Sequence, residues 1–236
     1  MDGDQTAAGG SAVEKATADG KDVTQGRTTR RVHSPHRFNA LADGVFAIAM
    51  TLLALEIRIP EGLGTTDRSG FQEALPELLG GFGLFALGFY VTSQYWVGHH
   101  RVMSYVHTVD NGAIERTLSA LLGVAALPIA MSLVISWGQF PEAVALTSAL
   151  LAATSLLSSR LYAHVLKPEF ADIDAVTRRR IVVEPLLSTA IYLVTIPLTY
   201  AVYLLLHQSA AWAALLWVLF FVTGRIAGSI ARRSVG

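Results

Sequence analysis

The sequence predicts an all-α membrane protein of six transmembrane helices with both termini in the cytoplasm. Three observations carry this. Over half of its 236 residues are hydrophobic (52%) and only 15% are charged, well below the roughly one quarter charged in soluble domains; the mean hydropathy is +0.45. Apolar stretches of about 20 residues recur along the chain, the length that crosses a hydrocarbon core of about 30 Å. Finally, Lys and Arg fall almost entirely on one side of the resulting topology. Of 18 basic residues, only Arg58 and Arg68 are left on the outer side when the N-terminus is placed inside. That bias fits the positive-inside rule and independently requires an even number of spans.

The first span is Ser34–Ile59. Ser34 is a good N-cap, and Pro35 sits where a first-turn proline costs no hydrogen bond. A helix from Pro35 to Ile59 would be about 37 Å long at about 1.5 Å per residue. Arg37 and Arg58 would then lie at opposite interfaces, with Asp43 one or two turns inside. A lipid-facing Asp is costly there, so Asp43 should face protein or water. Residues 1–33 are rich in Gly, Ala, Thr and charge and are expected to form a disordered cytoplasmic tail. No cleavable signal stands out at the start, so the first helix is expected to serve as its own insertion signal.

A polar loop is expected over Pro60–Gly70, followed by an amphipathic lead-in, Phe71–Leu79. The second span, about Leu78–Gly98, carries Gly80, Gly81, Gly83 and Gly88, which allow close helix approach. It ends in the interfacial run Tyr95-Trp96-Val97-Gly98-His99-His100-Arg101. The third span, about Thr117–Trp137, has Pro128 near its middle, where a kink is expected. The fourth, about Ala143–Val165, is dense in Ala, Ser and Thr and suits an interior position. The fifth, about Ile181–Leu206, contains Pro185 and Pro197. The sixth, about Ala210–Ile230, contains Gly224 and Gly228.

The chain has no cysteine, hence no disulfide, thiolate metal site or cysteine nucleophile. Net charge is zero, which gives no argument for a nucleic-acid partner. His99 and His100 are adjacent and point about 100° apart on a helix, so the i, i+4 spacing of zinc ligands is missing and no metal is expected. No nucleotide loop, serine–histidine–acid order or carboxylate pair in an apolar setting stands out. Neither an enzyme nor a cofactor is expected. Glu184, at the start of the fifth span, is accounted for by pairing with nearby Arg178–Arg180.

Chemistry concentrates in the first two spans. Asp43, Trp96, His99 and His100 all fall toward the cytoplasmic end of two antiparallel helices, where they can meet. Ile48, Thr51, Leu52 and Leu55 are spaced i, i+3, i+4, i+7 and share one helix face; by itself this spacing favours plain core packing in a bundle over a pore lining.

Here the chain resembles the transmembrane protein 175 family, the lysosomal potassium channels and their bacterial relatives. The family signature is an Arg, three residues and Phe-Ser-Asp, then a Gly-Val-Phe-Ala-Ile-Ala run. Arg37, Leu41-Ala42-Asp43 and Gly44-Val45-Phe46-Ala47-Ile48-Ala49 occupy those places, with Leu41 and Ala42 replacing the Phe and Ser. Trp96, His99 and His100 resemble the family's second-helix element, and Leu127-Pro128 and Val109-Asp110 are similar further on. The resemblance implies a potassium-preferring channel in the cell membrane, assembled as a homotetramer within the lipid bilayer, with the first helix lining a central pore and K+ as the permeant ion. It places the apolar constriction at Ile48, with Leu55 the next layer out, and a selectivity Thr at Thr51. It places Arg37, Asp43, Trp96, His99 and His100 in a structural or gating network. Glu56 would lie at the outer mouth. The sequence holds no Thr-Val-Gly-Tyr-Gly segment, which excludes a carbonyl-lined filter. Residues 34–236 would form the channel domain. The alternative is a secondary or proton-coupled transporter, which would need a broken helix and a midplane site.

Overall fold

The computed structural model describes residues 36–57, 68–207, 209–219 and 226. The chain divides into two units, Met1–Arg31 and Val32–Gly236, and every described residue belongs to the second. The expected tail, residues 1–33, lies outside the described residues.

Among the described residues the elements are α1 (His36–Leu55), α2 (Arg68–Met103), α3 (Asn111–Ala125), α4 (Leu127–Trp137), α5 (Pro141–Val165), α6 (Ala175–Leu206) and a 3₁₀ helix, Ala210–Leu219. Five segments are long and apolar enough to cross a membrane, with α3 and α4 counting as one. The expected sixth span is described only to Leu219, as the 3₁₀ helix, and most of its remainder lies outside the described residues.

α1 spans about 30 Å at about 1.5 Å per residue. Its last turn tightens into i→i−3 bonds, Glu56 N to Leu53 O and Ile57 N to Ala54 O. α2 differs from the sequence expectation. The lead-in and the span form one 36-residue helix that starts at Arg68. Residues 72–79 are mostly strong helix formers (Gln72, Glu73, Ala74, Leu75, Glu77, Leu78, Leu79), and they carry the helix through Pro76. The glycine expectation also narrows. A Cβ at Gly80 or Gly83 would meet open space, and one at Gly81 only Ile57 at 3.9 Å. Gly88 is where helices approach: its Cβ would lie 3.0 Å from Met131 Cγ and 3.4 Å from Leu53 Cδ2.

At Pro128, where a kink is expected, the helix is interrupted at a single residue that keeps helical dihedrals, and Ala126 N still donates to Leu122 O at 3.2 Å. α3 ends at Ala125, Ala126 stands between the helices, and Pro128 falls in the first turn of α4. Proline cannot donate to the carbonyl four residues back and clashes with it, which interrupts the helical bonding there. α5 is an interior helix, as its composition implies. Thr147, Ser148, Thr154, Ser155, Ser158 and Ser159 are all buried. Several of these hydroxyls bond back to the preceding turn: Thr154 to Leu150 O at 2.8 Å and Ser158 to Thr154 O at 2.9 Å. Others tie neighbours together: Thr147 donates to Ala130 O at 2.8 Å, Ser159 to Val182 O at 3.1 Å. Tyr95 donates to Leu151 O at 2.8 Å and shares a 2.7 Å hydrogen bond with Ser155 Oγ.

The connections sort to two ends of the bundle. At one end, Val106 and Ala171 form an antiparallel bridge, and His107 N donates to Phe170 O at 2.9 Å. The α2–α3 and α5–α6 loops therefore lie together. At the other end, Ala211 N and Ser209 Oγ both donate to Gly138 O, at 2.8 and 3.2 Å, joining the α4–α5 loop to the residues after α6. This alternation is what antiparallel spans with short connections produce. Asp174 caps α6 by accepting from Thr177 N at 2.9 Å. Hydrogen bonding from the Thr177 side chain, and then from its backbone N–H, holds the Asp174 carboxyl below its usual range. The core runs through the bundle from Ala42, Phe46, Ala49 and Leu53 of α1 to Tyr95, Met131, Leu151, Tyr192 and Trp217.

Candidate functional site

α1 has two unlike faces. Ala42, Phe46, Ala49 and Leu53, at spacings of four, three and four, are at most 3% exposed and enter the core. The opposite face carries Leu41, Gly44, Ile48, Thr51, Leu52 and Leu55, all open in the single chain. Ile48 is 60% exposed and Leu55 76%. The sequence spacing that put Ile48, Thr51, Leu52 and Leu55 on one face holds, and that face is not the packed one. Thr51 Oγ donates to Ile48 O at 2.9 Å. The hydroxyl proton is thereby spent on the backbone, and the oxygen's lone pairs are left for whatever faces the helix. Glu56 is half-buried in the turn that closes α1.

At the other end of α1, Trp96 Nε1 donates to Asp43 Oδ1 at 2.9 Å. The indole stacks on His100, with ring centroids 5.5 Å apart and an interplanar angle of 27°. His99 turns the other way, as adjacent residues on a helix must. It is buried against Phe46, ring centroids 6.0 Å apart. His99 Nε2 has no hydrogen-bond partner among the described residues. Asp43, Trp96 and His100 thus meet at the junction of α1 and α2, whereas His99 packs on Phe46 of α1. Arg37 lies in the first turn of α1, and its side chain is outside the described residues. Ala42, which stands where the family has Ser, is fully buried on the core face.

The Asp43–Trp96 bond joins a carboxylate to the only donor an indole offers. Trp96→Phe keeps the aromatic surface and removes that donor. We expect it to lower stability by about 1–2 kcal/mol, read as a lower unfolding temperature in detergent. Asp43→Asn should cost less, because the amide oxygen still accepts. An unfolding temperature unmoved by Trp96→Phe would contradict a clamp between the two helices.

Two polar pairs escaped the sequence reading. Glu184 pairs with Arg101 of α2, at 3.8 Å, rather than with the arginines just before it. Asp110 caps α3 by accepting from Ala113 N at 2.9 Å, and its Oδ1 also lies 2.9 Å from His164 Nε2. An Asp directly before Asn111-Gly112-Ala113 is a helix-start signal that could have been read. Its histidine partner, 54 residues on, could not. Among the described residues no group of three or more His, Asp or Glu could hold a metal ion.

Residues 37–128 match the family profile described as endosomal/lysosomal potassium channel TMEM175. The chain is 40% identical over 92 residues to "Potassium channel B446_29190" of Streptomyces collinus, covering 39% of this chain and 43% of that one. It is 28% identical over 154 residues to "Potassium channel Cha6605_3372" of Chamaesiphon minutus, covering 61% and 75%. The match thus spans less than half the length of the Streptomyces relative. The fold is similar to the crystal structure of a lysosomal potassium-selective channel TMEM175 homolog from Chamaesiphon minutus. The TM-score is 0.66 at 24% identity, over 81% of this chain and 97% of that one. Both the profile match and the sequence matches support the resemblance read from the first two helices.

Proposed function

We propose, since residues 37–128 carry the pattern of the TMEM175 family, that this chain is a potassium-preferring cation channel of the cell membrane, built as a homotetramer with α1 around the central axis. The observation that carries this is the unpacked face of α1: Ile48, Thr51 and Leu55 stand open on the helix that bears the matched signature. One chain cannot enclose a pore with one helix. Several copies around an axis would cover this face and give it a function at once.

In that arrangement a ring of Ile48 side chains forms an apolar constriction that closes by dewetting, with Leu55 as a second apolar layer outward. The Thr51 ring offers lone pairs, because each hydroxyl proton is held by Ile48 O. Lone pairs replace part of a cation's hydration and repel anions. Selectivity built on hydroxyls is modest, in keeping with a sequence that lacks a carbonyl filter. Glu56 concentrates cations at the outer mouth. The Asp43–Trp96–His100 cluster holds the pore helix against α2 and fixes its rotation, and His99 and Arg37 are assigned to the same structural or gating network. Residues 34–236 form the channel domain and residues 1–33 a cytoplasmic tail. K+ is the permeant ion, and no cofactor is required.

The test is ion flux from liposomes holding the purified full chain, with potassium set against sodium. Potassium flux that exceeds sodium flux and does not saturate supports the reading. A second reading, a secondary transporter, is favoured by the one-residue interruption between α3 and α4 at Ala126, since interrupted helices line transporter sites. Saturable flux that requires a counter-ion would select it.

A further inference from the structure

A groove of about 630 Å³ opens between α3 and α5, away from the α1 face, lined among others by Glu115, Arg116, Arg160, His164 and Lys167. It sits at the bundle end where the α2–α3 and α5–α6 loops meet. Arg160 and His164, four residues apart, stand on one stripe of α5, and Lys167 follows in the turn just past its end. Arg116 comes from the first turns of α3. Its Nη1 donates to Gly112 O at 2.7 Å, and a Cβ at Gly112 would lie 2.9 Å from that nitrogen. Glycine at 112 is what lets the guanidinium lie back along the helix start. Most of its five N–H donors stay free. His164 is already engaged by Asp110 at 2.9 Å. Arg116, Arg160 and Lys167 have no ion pair among the described residues. Against three cations the groove sets one carboxylate, Glu115.

Below the charged end both helices turn apolar on the same side. Leu118 and Leu122 continue the Glu115–Ser119 stripe of α3, and Leu122 is 73% exposed. Leu156 and Leu157 continue the Arg160 stripe of α5, with Leu157 itself lining the groove. A cationic mouth at the bundle end, with exposed leucines leading toward the membrane interior, matches a molecule with an anionic head and an acyl tail. On the positive-inside orientation this end faces the cytoplasmic leaflet, the anionic one.

We infer that the α3–α5 groove binds the phosphodiester headgroup of an anionic phospholipid, held by Arg116, Arg160 and Lys167, with an acyl chain along Leu118, Leu122 and Leu156. Glu115 limits the net charge and tells against multiply charged soluble polyanions. This site is independent of the pore assignment.

The test is native mass spectrometry of the full chain released from nanodiscs of mixed phosphatidylglycerol and phosphatidylcholine. The unaltered chain is expected to retain phosphatidylglycerol over phosphatidylcholine. Arg116→Gln/Arg160→Gln/Lys167→Gln should cut that retention at least about tenfold, since each basic residue near an anionic surface contributes appreciably. Arg179→Gln/Arg180→Gln, which removes charge from exposed positions of α6, should leave it within about twofold. Arg160→Glu alone, at an exposed position, guards against misfolding of the triple variant and should act in the same direction. Equal loss in both charge-removal sets, or no preference in the unaltered chain, would overturn the site. Displacement of the lipid by excess inorganic phosphate would assign the groove to a free anion and overturn the lipid assignment.

Discussion

Ile48→Asn raises potassium flux about tenfold or more: this is the largest functional effect the account predicts. Ile48 is open to its surroundings on the face of α1 opposite the core, so its replacement disturbs little within the chain. In the proposed tetramer, four Ile48 side chains around the axis would form a gap that water leaves readily, and an ion would have to cross it without its shell. An amide side chain keeps the gap wet. Lowering the barrier by about 1.4 kcal/mol is tenfold in rate. Thr51→Ala removes the oxygen one turn further along and should reduce the potassium preference while leaving total flux comparable. The two variants therefore separate gate from selectivity. Flux unchanged by Ile48→Asn would move the constriction elsewhere. A preference unchanged by Thr51→Ala would remove the hydroxyl ring from the selectivity account.

The largest expected effect on stability is at Gly123. α3 and α5 approach so closely there that a Cβ would run into the Thr154 hydroxyl, with Thr154 Cβ and Cγ2 each 3.1 Å away. Thr154 is fully buried and its hydroxyl donates to Leu150 O at 2.8 Å. Turning it aside would break that bond. Gly123→Ala should therefore destabilise by about 2–3 kcal/mol, although alanine is the better helix former by about 1 kcal/mol. Gly123→Ala combined with Thr154→Ala should recover most of the loss but not all, because the 3.1 Å approach of residue 154 Cβ remains. Thermal unfolding in detergent reads both. A neutral Gly123→Ala would mean that the helices can separate at no cost.

Features with a local or periodic cause were legible in the sequence. The i, i+3, i+4, i+7 spacing of Ile48, Thr51, Leu52 and Leu55 fixed a helix face, and Pro128 marked the place where the third span is interrupted. The hydroxyl-rich composition of α5 marked an interior helix. The meeting of Asp43 with Trp96 and His100 followed from antiparallel neighbours with a short connection. What escaped depends on partners chosen by packing. α2 begins at Arg68 because residues 68–79 favour helix more strongly than their polar flanks oppose it, and composition alone read them as loop and lead-in. Of Gly80, Gly81, Gly83 and Gly88, only Gly88 meets close neighbours, since contact depends on which side α1 and α4 occupy. Glu184 reaches Arg101 on another helix and not the arginines nearest in sequence. The Asp110–His164 pair joins the start of α3 to the last turn of α5, 54 residues on, and nothing local brings them together.

The absence of cysteine from the chain makes possible the most direct test of the central claim, that the open face of α1 lines the pore. Cysteine would be placed singly at Ile48, Thr51 and Leu55, and at Leu53, which is buried on the core face. Potassium flux from liposomes would then be measured before and after a charged methanethiosulfonate reagent. The account predicts inhibition or strong alteration of flux at positions 48, 51 and 55, no effect at 53, and none on the unaltered chain. Reactive thiols at 48, 51 and 55 whose modification leaves potassium flux unchanged would place that face against lipid or protein and contradict the claim.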